Sequence, residues 1–244
     1  MPRAPRFFIS PDQVLGPEIA ISGEDVRHIA NVLRMKPGEE LLLCDGQGTE
    51  YAVTITSVGR TEVSTRVLSI AKRPLSSPRV TLAQGLPKSD KMDLIVQKAT
   101  ELGVASIIPV VTERTIVKLK DEEKRIGRWQ KICREAAMQS NRPDIPSVGP
   151  VLSFIDFLRI SHPESGSLLL LPWEEATLPL KSVLRQKQEA CRIVVLIGPE
   201  GGFSRKEAEL AQAGGFHLVS LGQNILRTET AAIALLGMIQ YEYS

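Results

Sequence analysis

The residues best suited to chemistry lie in two glycine-containing loops near the end of the chain. The first loop, residues 198–202 (GPEGG), follows an apolar stretch at 193–197 that predicts a strand, and a helix is predicted to begin at Ser204. A second predicted strand, 218–221, leads into the second loop, 222–230. Loops at the ends of neighbouring strands are where α/β sheets hold small ligands. We therefore predict a ligand site built from these two loops.

The first loop has a composition that disfavours phosphate binding. It contains no lysine, it matches neither the Walker A pattern nor GxGxxG, and an acid, Glu200, stands at its centre. A carboxylate there would repel a di- or triphosphate and would favour a ligand that carries positive charge. The glycines Gly198, Gly201 and Gly202 can form a sharp turn, and their missing side chains let backbone groups face a ligand. A nucleotide-binding α/β enzyme is therefore disfavoured.

Both loops resemble the cofactor site of the SPOUT class of S-adenosylmethionine-dependent RNA methyltransferases. The sequence is most similar to the RsmE family, which methylates N3 of a uridine in small-subunit ribosomal RNA. The matching segments are 198–204 (GPEGGFS), 221–222 (LG), 225–231 (ILRTETA), 97–104 (QKATELGV), 139–140 (QS) with Arg142, 28–29 (HI) and 32–34 (VLR). The resemblance thus covers nearly the whole chain. It implies S-adenosyl-L-methionine as cofactor, 16S rRNA in the small ribosomal subunit as substrate, and a homodimer.

The resemblance also implies which residues bind the cofactor. They are Leu170, Leu171, Pro172, Ile197, Gly198, Pro199, Glu200, Gly201, Gly202, Leu221, Gly222, Ile225, Leu226, Arg227, Thr230 and Ala231. From the residues alone, the leucines and Ile225 are equally consistent with core and turn positions. Glu200 is also consistent with a role limited to the dipole of the helix that follows Ser204. These alternatives stay open at this point.

Two arginines are candidate catalytic residues. Arg142 stands where the resembling class places an arginine near the reacting base, so we hypothesise that it steadies the uridine anion or its flanking phosphate. A solvated loop arginine is the alternative. Arg227 stands at the predicted start of the last helix, where a cation is disfavoured without another partner such as an RNA phosphate or a carboxylate of a second copy. Thr228 or Thr230 is expected to cap that helix.

Basic residues are predicted to contact RNA phosphates. Between Arg114 and Arg142 there are nine basic and four acidic residues, although the formal net charge of the chain is only +2. A solvated helix face explains this pattern as well, but the neighbouring cofactor loops favour a phosphate-binding surface. The candidates are Arg3, Arg6, Arg27, His28, Arg34, Lys88, Arg114, Arg128, Arg134 and Arg142. With 5% aromatic residues, base stacking is not expected to dominate recognition.

The elements that must position these residues fall into two parts. Residues 1–72 show short strands and turns, which predict a small PUA-like or OB-like β-barrel that binds RNA. Residues 73–78 have the composition of a linker. Residues 79–244 alternate strands with helices, which predicts a parallel sheet covered by helices on both faces. The resemblance further implies a C-terminal trefoil knot in this SPOUT domain, against the general rule that folds avoid knots.

One helix is predicted inside the first domain and another at the start of the second. Ser22 with Asp25 forms a capping-box start for the first helix. Its apolar face is predicted to contain Val26, Ile29, Val32 and Leu33. Ser89 is expected to cap the second helix.

Composition narrows the class of protein. Hydrophobic residues make up 43% and charged residues 24%, as in ordinary soluble proteins, and we see no secretory signal. The longest apolar stretch, 231–239, is too short to span a bilayer. The three cysteines show no CxxC spacing and the three histidines share no ligand spacing, so we predict no metal and a cytoplasmic location.

Two other functions remain open at this point. One is a transfer-RNA methyltransferase of the same class. The other is a non-catalytic RNA-binding ribosome assembly factor, which would bind RNA without binding S-adenosylmethionine. The sequence does not single out a general base for methylation of the uridine.

Overall fold

The structure, a computed structural model, describes residues 4–88, 90–117 and 121–243 and divides into two compact units. The first unit is Met1–Leu75 with Ala137–Ile145, and the second is Ser76–Ala136 with Pro146–Ser244. The predicted boundaries at 72 and 79 stay predictions. The segment Ala137–Ile145 differs from expectation because it belongs to the first unit rather than the second.

Apolar packing explains the placement of that segment. Ala137, Met138 and Ile145 lie in one cluster with the buried side chains of Phe8 and Cys44. Since these contacts join positions about a hundred residues apart, no local pattern in the sequence indicates them.

The first unit contains a small β-sheet. Its strands are β1 (Arg6–Phe8), β2 (Val14–Leu15), β3 (Glu18–Ser22), β4 (Glu40–Cys44), β5 (Thr49–Val58) and β6 (Glu62–Lys72). They are ordered β1-β4-β5-β6-β3-β2, and all neighbours except the parallel pair β1–β4 are antiparallel. Alternate residues such as Leu41, Leu43, Val53 and Ile55 are buried, as expected for strands with one face on a core. The sequence did not predict β2 or β3.

The helix of the first unit differs from its prediction. It is α1 (Glu24–Arg27), followed by a π-helical turn at His28–Val32. Gly23 is the N-cap, and no side chain caps the helix. The predicted cap at Ser22 is therefore wrong, because Ser22 is the last residue of β3 and pairs with Glu62.

The predicted apolar face of this helix is correct only in its first half. Val26 and Ile29 are buried, whereas Val32 is 69% and Leu33 is 39% exposed. A π turn bonds residue i to i+5, so residues that follow Ile29 rotate away from the face expected for an α-helix.

The second unit is built on a parallel sheet. Its strands are β7 (Arg79–Gly85), β8 (Ser106–Val111), β9 (Ser147–Val148), β10 (Leu152–Ser153), β11 (Ser167–Pro172), β12 (Arg192–Ile197) and β13 (His217–Val219). Its helices are α2 (Lys91–Glu101), α3 (Glu122–Gln139), α4 (Phe154–Ile160), α5 (Leu180–Gln186), α6 (Arg205–Ala213) and α7 (Thr228–Glu242). The strand order is β10-β8-β7-β12-β11-β13, with β9 beside β8 and all pairs parallel. The predicted parallel sheet is confirmed, but α4, β9 and β10 were not predicted.

The central strands of this sheet are buried on both faces. Leu169 and Leu171 of β11 lie in a core cluster with Phe157 of α4 and Ala211 of α6. Leu170, which alternates with them and therefore points to the opposite face, is also completely buried. Continuous apolar runs such as LLLL and IVVLI are the expected sequence of such doubly covered strands.

Strand order brings the carboxyl ends of three strands together. In β12, Ile197 pairs with Gln84 of β7, and the next neighbour of β12 is β11, which ends at Pro172. The polypeptide that leaves each of these strands therefore emerges at the same edge of the sheet. Ligands bind at this edge in open α/β sheets. The trefoil knot stays a prediction.

Three further observations concern membrane spans, metal-ion sites and disulfides. In the ranges that the structure describes, no helix is long and apolar enough to cross a membrane. The same residues contain no group of three or more histidine, cysteine or acidic side chains placed to hold a metal ion. The three cysteines, all at described positions, form no disulfide: Cys44 and Cys133 are buried and Cys191 is exposed.

Candidate active site

The two predicted loops line one cavity of about 440 Å³. A volume of this size suits a small-molecule ligand. The predicted cofactor-binding residues that line it are Pro172, Ile197, Gly198, Pro199, Glu200, Gly201, Gly202, Leu221, Gly222, Ile225, Leu226, Arg227 and Ala231. The structure thus brings together residues from the end of β11, both loops and the first turn of α7.

Three predicted cofactor residues do not line the cavity. The side chains of Leu170 and Leu171 are completely buried in the core of the sheet, which favours the alternative core interpretation for them. Thr230 is exposed on α7 and lies outside the cavity lining. The cofactor contacts of these three residues stay predictions.

Several lining residues were missed by the sequence interpretation. They are Lys91, Trp173, Glu174, Phe203, Ser220, Gln223, Asn224 and Thr228. Trp173 and Glu174 directly follow the carboxyl end of β11, and this position alone could have identified them. Lys91 had no such signal, because it begins a helix about a hundred residues before either loop.

Close backbone approach explains the glycines around the first loop. A Cβ atom on Gly85, the last residue of β7, would lie 2.7 Å from the backbone nitrogen and Cδ of Pro199. A Cβ on Gly198 would lie 3.1 Å from the Cα of Gly202, whose φ is +66°. The turn is closed by a hydrogen bond of 2.9 Å from the Gly202 N–H to the Pro199 carbonyl. Side chains at Gly85 or Gly198 would therefore displace the loop.

The helix after the first loop begins as predicted. Ser204 is the N-cap of α6, and its hydroxyl oxygen accepts a hydrogen bond from the Glu207 N–H. The Glu207 carboxylate accepts in return from the Ser204 N–H at 2.9 Å, which completes a capping box. The first loop is therefore anchored at a rigid helix terminus.

A buried hydrogen-bond chain joins the two loops. The Thr228 hydroxyl donates to the Gly198 carbonyl at 2.6 Å and accepts from Nε2 of Gln84 at 2.9 Å. Thr228 is the first residue of α7 and is 5% exposed. The prediction that Thr228 or Thr230 caps α7 is wrong: the N-cap is Arg227, and no side chain caps the helix. The Thr228 hydroxyl instead connects the start of α7 to the first loop.

A charged cluster lies beside the same loop. The Lys91 ammonium is 3.1 Å from Oε1 of Glu200 and 3.4 Å from Oε2 of Glu229. The Lys88 N–H also donates to both oxygens of Glu200, at 3.0 and 3.2 Å. The partners of Glu200 thus lie at the start of α2, so the alternative that Glu200 serves only the dipole of α6 gains no support.

These contacts set the protonation states of the cluster. Burial alone would raise the pKa of Glu200, but hydrogen bonds from backbone N–H groups and from Lys91 outweigh this effect and lower the pKa. The hydrogen bond to Glu200 is the main cause that raises the pKa of Lys91. Both groups are therefore charged at neutral pH, and Glu200 is a weak proton acceptor.

The two candidate catalytic arginines have different environments. Arg227 lines the cavity and its side chain is exposed. Arg142 lies in the first unit, is 7% exposed, and its Nη2 is 3.0 Å from Oδ1 of Asp144. The alternative of a solvated loop arginine is wrong for Arg142. Its burial against a carboxylate does not support contact with a uridine anion or phosphate either.

The predicted RNA-contact residues also differ in exposure and in their ion pairs. Arg27, His28, Arg34, Lys88, Arg114 and Arg128 are exposed, and Arg134 is partly buried. The side chain of Arg6 is 8% exposed, with its Nη1 2.7 Å from Oε1 of Glu50. The guanidinium of Arg114 donates to the Gly201 carbonyl, and that of Arg128 pairs with Asp93. Arg3 and Ser89 lie outside the described residues.

Comparisons with known proteins identify both units. Residues 74–240 match the family model described as an RNA methyltransferase domain, and residues 21–68 match the RNA methyltransferase PUA domain. The ribosomal RNA small subunit methyltransferase E of Bacillus subtilis is 35% identical over 234 residues, which cover 93% of this chain and 91% of the relative. These matches confirm the predicted PUA-like domain and methyltransferase domain.

Solved structures agree with the sequence relatives. The crystal structure of a ribosomal RNA small subunit methyltransferase E from Neisseria gonorrhoeae bound to S-adenosylmethionine has a TM-score of 0.88 and 33% identity, with 98% of each chain covered. A methyltransferase from Legionella pneumophila in complex with the same cofactor has a TM-score of 0.81 and 32% identity, also over 98% of each chain. The chain belongs to the ribosomal RNA small subunit methyltransferase E (RsmE) family.

Proposed function

We propose that this chain methylates N3 of a uridine in 16S rRNA with S-adenosylmethionine as the methyl donor. The observation that carries the proposal is that the family's two motif loops converge on one cavity in a chain that matches the family over nearly its full length. The Neisseria gonorrhoeae relative is described as bound to S-adenosylmethionine. A P-loop nucleotide enzyme has no support in this cavity, because its loop presents Glu200 instead of a lysine.

The residues of the cavity fit this cofactor. Ile197 and Leu226 provide apolar walls, and the ionised Glu200 together with Glu174 provides negative charge. Within the described part of the chain, the backbone N–H groups of Ile225 and Leu226 donate to no protein acceptor. They are available to the polar edge of an adenine ring. When bound, S-adenosylmethionine supplies an electrophilic methyl group on a sulfonium.

The contribution of the protein is mainly positioning. The close contact between Gly85 and Pro199 and the hydroxyl of Thr228 fix both loops before any ligand binds. Such preorganisation lets the reacting atoms meet at attack distance. Because hydrogen bonds from backbone N–H groups and from Lys91 lower the pKa of Glu200, this carboxylate is poorly suited to accept the N3 proton.

Arg227 is the proposed contact to the RNA at the cavity. It is exposed, it lines the cavity, and it makes no ion pair with any residue that the structure describes. We propose that its guanidinium binds the uridine anion or an adjacent phosphate. The target uridine must be unpaired or extruded from its helix, because N3 lies on the pairing edge of the base.

The exposed basic residues of the first unit are proposed to hold the RNA. Arg27, His28 and Arg34 lie on α1 and the segment that follows it. Arginine side chains at such positions neutralise phosphates and supply affinity without sequence specificity. Arg6 and Arg142 are no longer part of this proposal.

The oligomer and the cellular context are also proposed. The apolar side chains of Ala232, Leu235, Leu236 and Ile239 on α7 are buried within the chain. Met238 and Tyr241 of α7 are 43% and 82% exposed and could contact a second copy. A sedimentation experiment that shows only monomer at micromolar concentration would reject the dimer. Three cysteines outside any disulfide support a cytoplasmic location.

Methylation of defined RNAs tests the function. The purified protein and S-adenosylmethionine would be incubated separately with unmodified small ribosomal subunits, isolated 16S rRNA and transfer RNA. Mass spectrometry of the digested nucleosides would then detect 3-methyluridine. We expect it in the ribosomal substrate and not in transfer RNA. Modification of transfer RNA alone, or no binding of S-adenosylmethionine even with RNA present, would overturn the proposal in favour of the two other functions.

A further inference from the structure

Lys91 connects elements on both sides of the cavity. It is the first residue of α2, and its side chain is 32% exposed. One of its carboxylate partners, Glu200, is the central residue of the first loop. The other, Glu229, is the second residue of α7, near the end of the second predicted loop. One ammonium group therefore contacts the first loop and the start of α7, both of which contribute residues to the cavity lining.

We propose that Lys91 is a positioning residue that holds the first loop in register with the start of α7 and thereby sets the affinity for S-adenosylmethionine. This inference rests on the proposed function, since it assigns a role within the same cofactor site. Lys91 also lines the cavity, but the role inferred here is carried by its contacts to the two carboxylates.

The burial of the cluster distinguishes it from an ordinary surface ion pair. Pairs of fully solvated side chains contribute little, because water and salt screen them. Here the Glu229 side chain is 15% exposed, and its Oε2 has no hydrogen-bond partner among the residues that the structure describes. Without Lys91, two partly buried carboxylates would share this region with no cation between them. Repulsion and desolvation would then push the first loop away from α7.

A second contact between the first loop and α7 does not involve Lys91 and would remain without it. The Thr228 hydroxyl binds the Gly198 carbonyl, so the base of the first loop stays attached to α7. Lys91 acts at the tip of that loop, through Glu200. We therefore expect loss of Lys91 to displace the loop tip while the fold stays intact. The consequence should appear in cofactor binding and not in RNA binding.

Three variants test this role. Lys91→Met removes the ammonium, Lys91→Arg keeps a cation, and Lys98→Met removes a comparable Lys–Glu pair, with Glu101, from the same helix. Calorimetry would give the Kd for S-adenosylmethionine, and steady-state kinetics would give kcat and both KM values.

We expect Lys91→Met to raise the Kd and KM for S-adenosylmethionine about tenfold, with kcat at saturating cofactor and KM for the RNA changed by less than about twofold. Lys91→Arg should restore most of the affinity, and Lys98→Met should match the unaltered protein. A role limited to stability would lower Tm without this separation of the two KM values. Unchanged cofactor affinity in Lys91→Met would overturn the inference.

A double-mutant cycle with Glu200→Gln tests whether Lys91 acts through the loop. We expect Lys91→Met to add less than about twofold in that background, because the partner is already neutral. An equal loss in both backgrounds would contradict the mechanism. If Lys91→Met fails to fold, Glu200→Gln alone must weaken cofactor binding, and normal affinity in that variant would overturn the inference. Failure of the unaltered protein to bind the cofactor would instead reject the proposed function itself.

Discussion

The cofactor cavity and the basic residues proposed for RNA binding differ in how well a sequence specifies them. Most residues predicted for the cavity do line it. The basic residues are divided: Arg27 and Arg34 are exposed, whereas Arg6 and Arg142 are buried beside Glu50 and Asp144. The sequence therefore predicted the positions of the cavity residues better than the exposure of the basic residues.

The difference lies in how each site is built. The cavity is lined mainly by residues of two loops, and the position of a loop follows from the strand that precedes it. The role of an arginine depends on which acid lies near it after folding. The partner of Arg6 is 44 residues away in sequence, so no local pattern distinguishes a buried ion pair from a phosphate contact. A sequence therefore predicts the position of a site built from loops better than it predicts the role of an individual charged side chain.

Gly85→Ala gives the strongest test of a cavity fixed by its backbone. The added Cβ would meet Pro199 at 2.7 Å and the carbonyl carbon of Gly198 at 2.9 Å, and neither backbone atom can yield without moving the loop. We expect the Kd for S-adenosylmethionine to rise by about a hundredfold, since displacement of a positioned site by about 1 Å has effects of that order. Calorimetric titration would measure it.

Gly127→Ala is the matched control for this variant. Gly127 lies inside α3, and a Cβ there would meet no atom within 4 Å. Alanine is favoured over glycine in a helix, so Tm should stay the same or rise while cofactor affinity is unchanged. If Gly85→Ala bound the cofactor as well as Gly127→Ala does, the loop would not be fixed by close packing.

The contrast between local sequence patterns and long-range contacts also explains which helices and strands were predicted correctly from the sequence. The apolar strand β12 begins one residue earlier than the predicted strand at 193–197, and α6 begins directly after its predicted start at Ser204. Their patterns are local: an apolar run buried on both faces, or a capping residue at the start of a helix. The helix predicted from Ser22 was wrong in its cap and in half of its face, because a π turn interrupts the α-helical period.

Long-range contacts account for most of what was missed at the site. Lys91 of α2 and Gln84 of β7 reach the two loops from positions far away in sequence. Their side chains carry no motif of their own, and only the parallel arrangement of β7 and β12 places them there. Leu170 and Leu171 were assigned to the cofactor site by the family resemblance, but their side chains are completely buried in the core.

Thr228→Val tests the buried connection between the loops with a change of nearly equal volume. Valine leaves the Gly198 carbonyl without its Thr228 donor and removes one of the two acceptors of Nε2 of Gln84, which keeps the Gly85 carbonyl. We expect the free energy of unfolding to fall by about 1–3 kcal/mol, as for buried polar groups that lose their partner. Cofactor affinity should fall about tenfold, because the base of the first loop loses its attachment.

Thr228→Ser provides the control, because it keeps the hydroxyl and removes only a methyl group. Chemical denaturation and calorimetry of both variants would separate the hydrogen bonds from packing. We expect the serine variant to bind the cofactor within about twofold of the unaltered protein. Equal effects in the two variants would mean that the methyl group, rather than the hydroxyl, holds the loop.

Substitution of buried and exposed arginines in the first unit tests the basic residues proposed for RNA binding. The double variant Arg27→Gln with Arg34→Gln removes two exposed charges, whereas Arg6→Gln removes one buried partner of Glu50. We expect the double variant to bind rRNA several-fold more weakly at physiological salt, with Tm unchanged. Filter binding across a salt series would measure the affinity, and thermal melting would measure stability.

The salt dependence of RNA binding separates direct phosphate binding from indirect effects. For every phosphate that a variant no longer neutralises, the slope of log affinity against log salt concentration should fall by roughly 0.7–0.9. Arg6→Gln should leave that slope unchanged but lower the free energy of unfolding by about 2 kcal/mol or more, since Arg73 is then the only cation paired with Glu50 among the residues that the structure describes. If Arg6→Gln reduced the slope as the double variant does, a buried arginine would still reach the RNA, and burial would not distinguish phosphate-binding arginines from structural ion pairs in this unit.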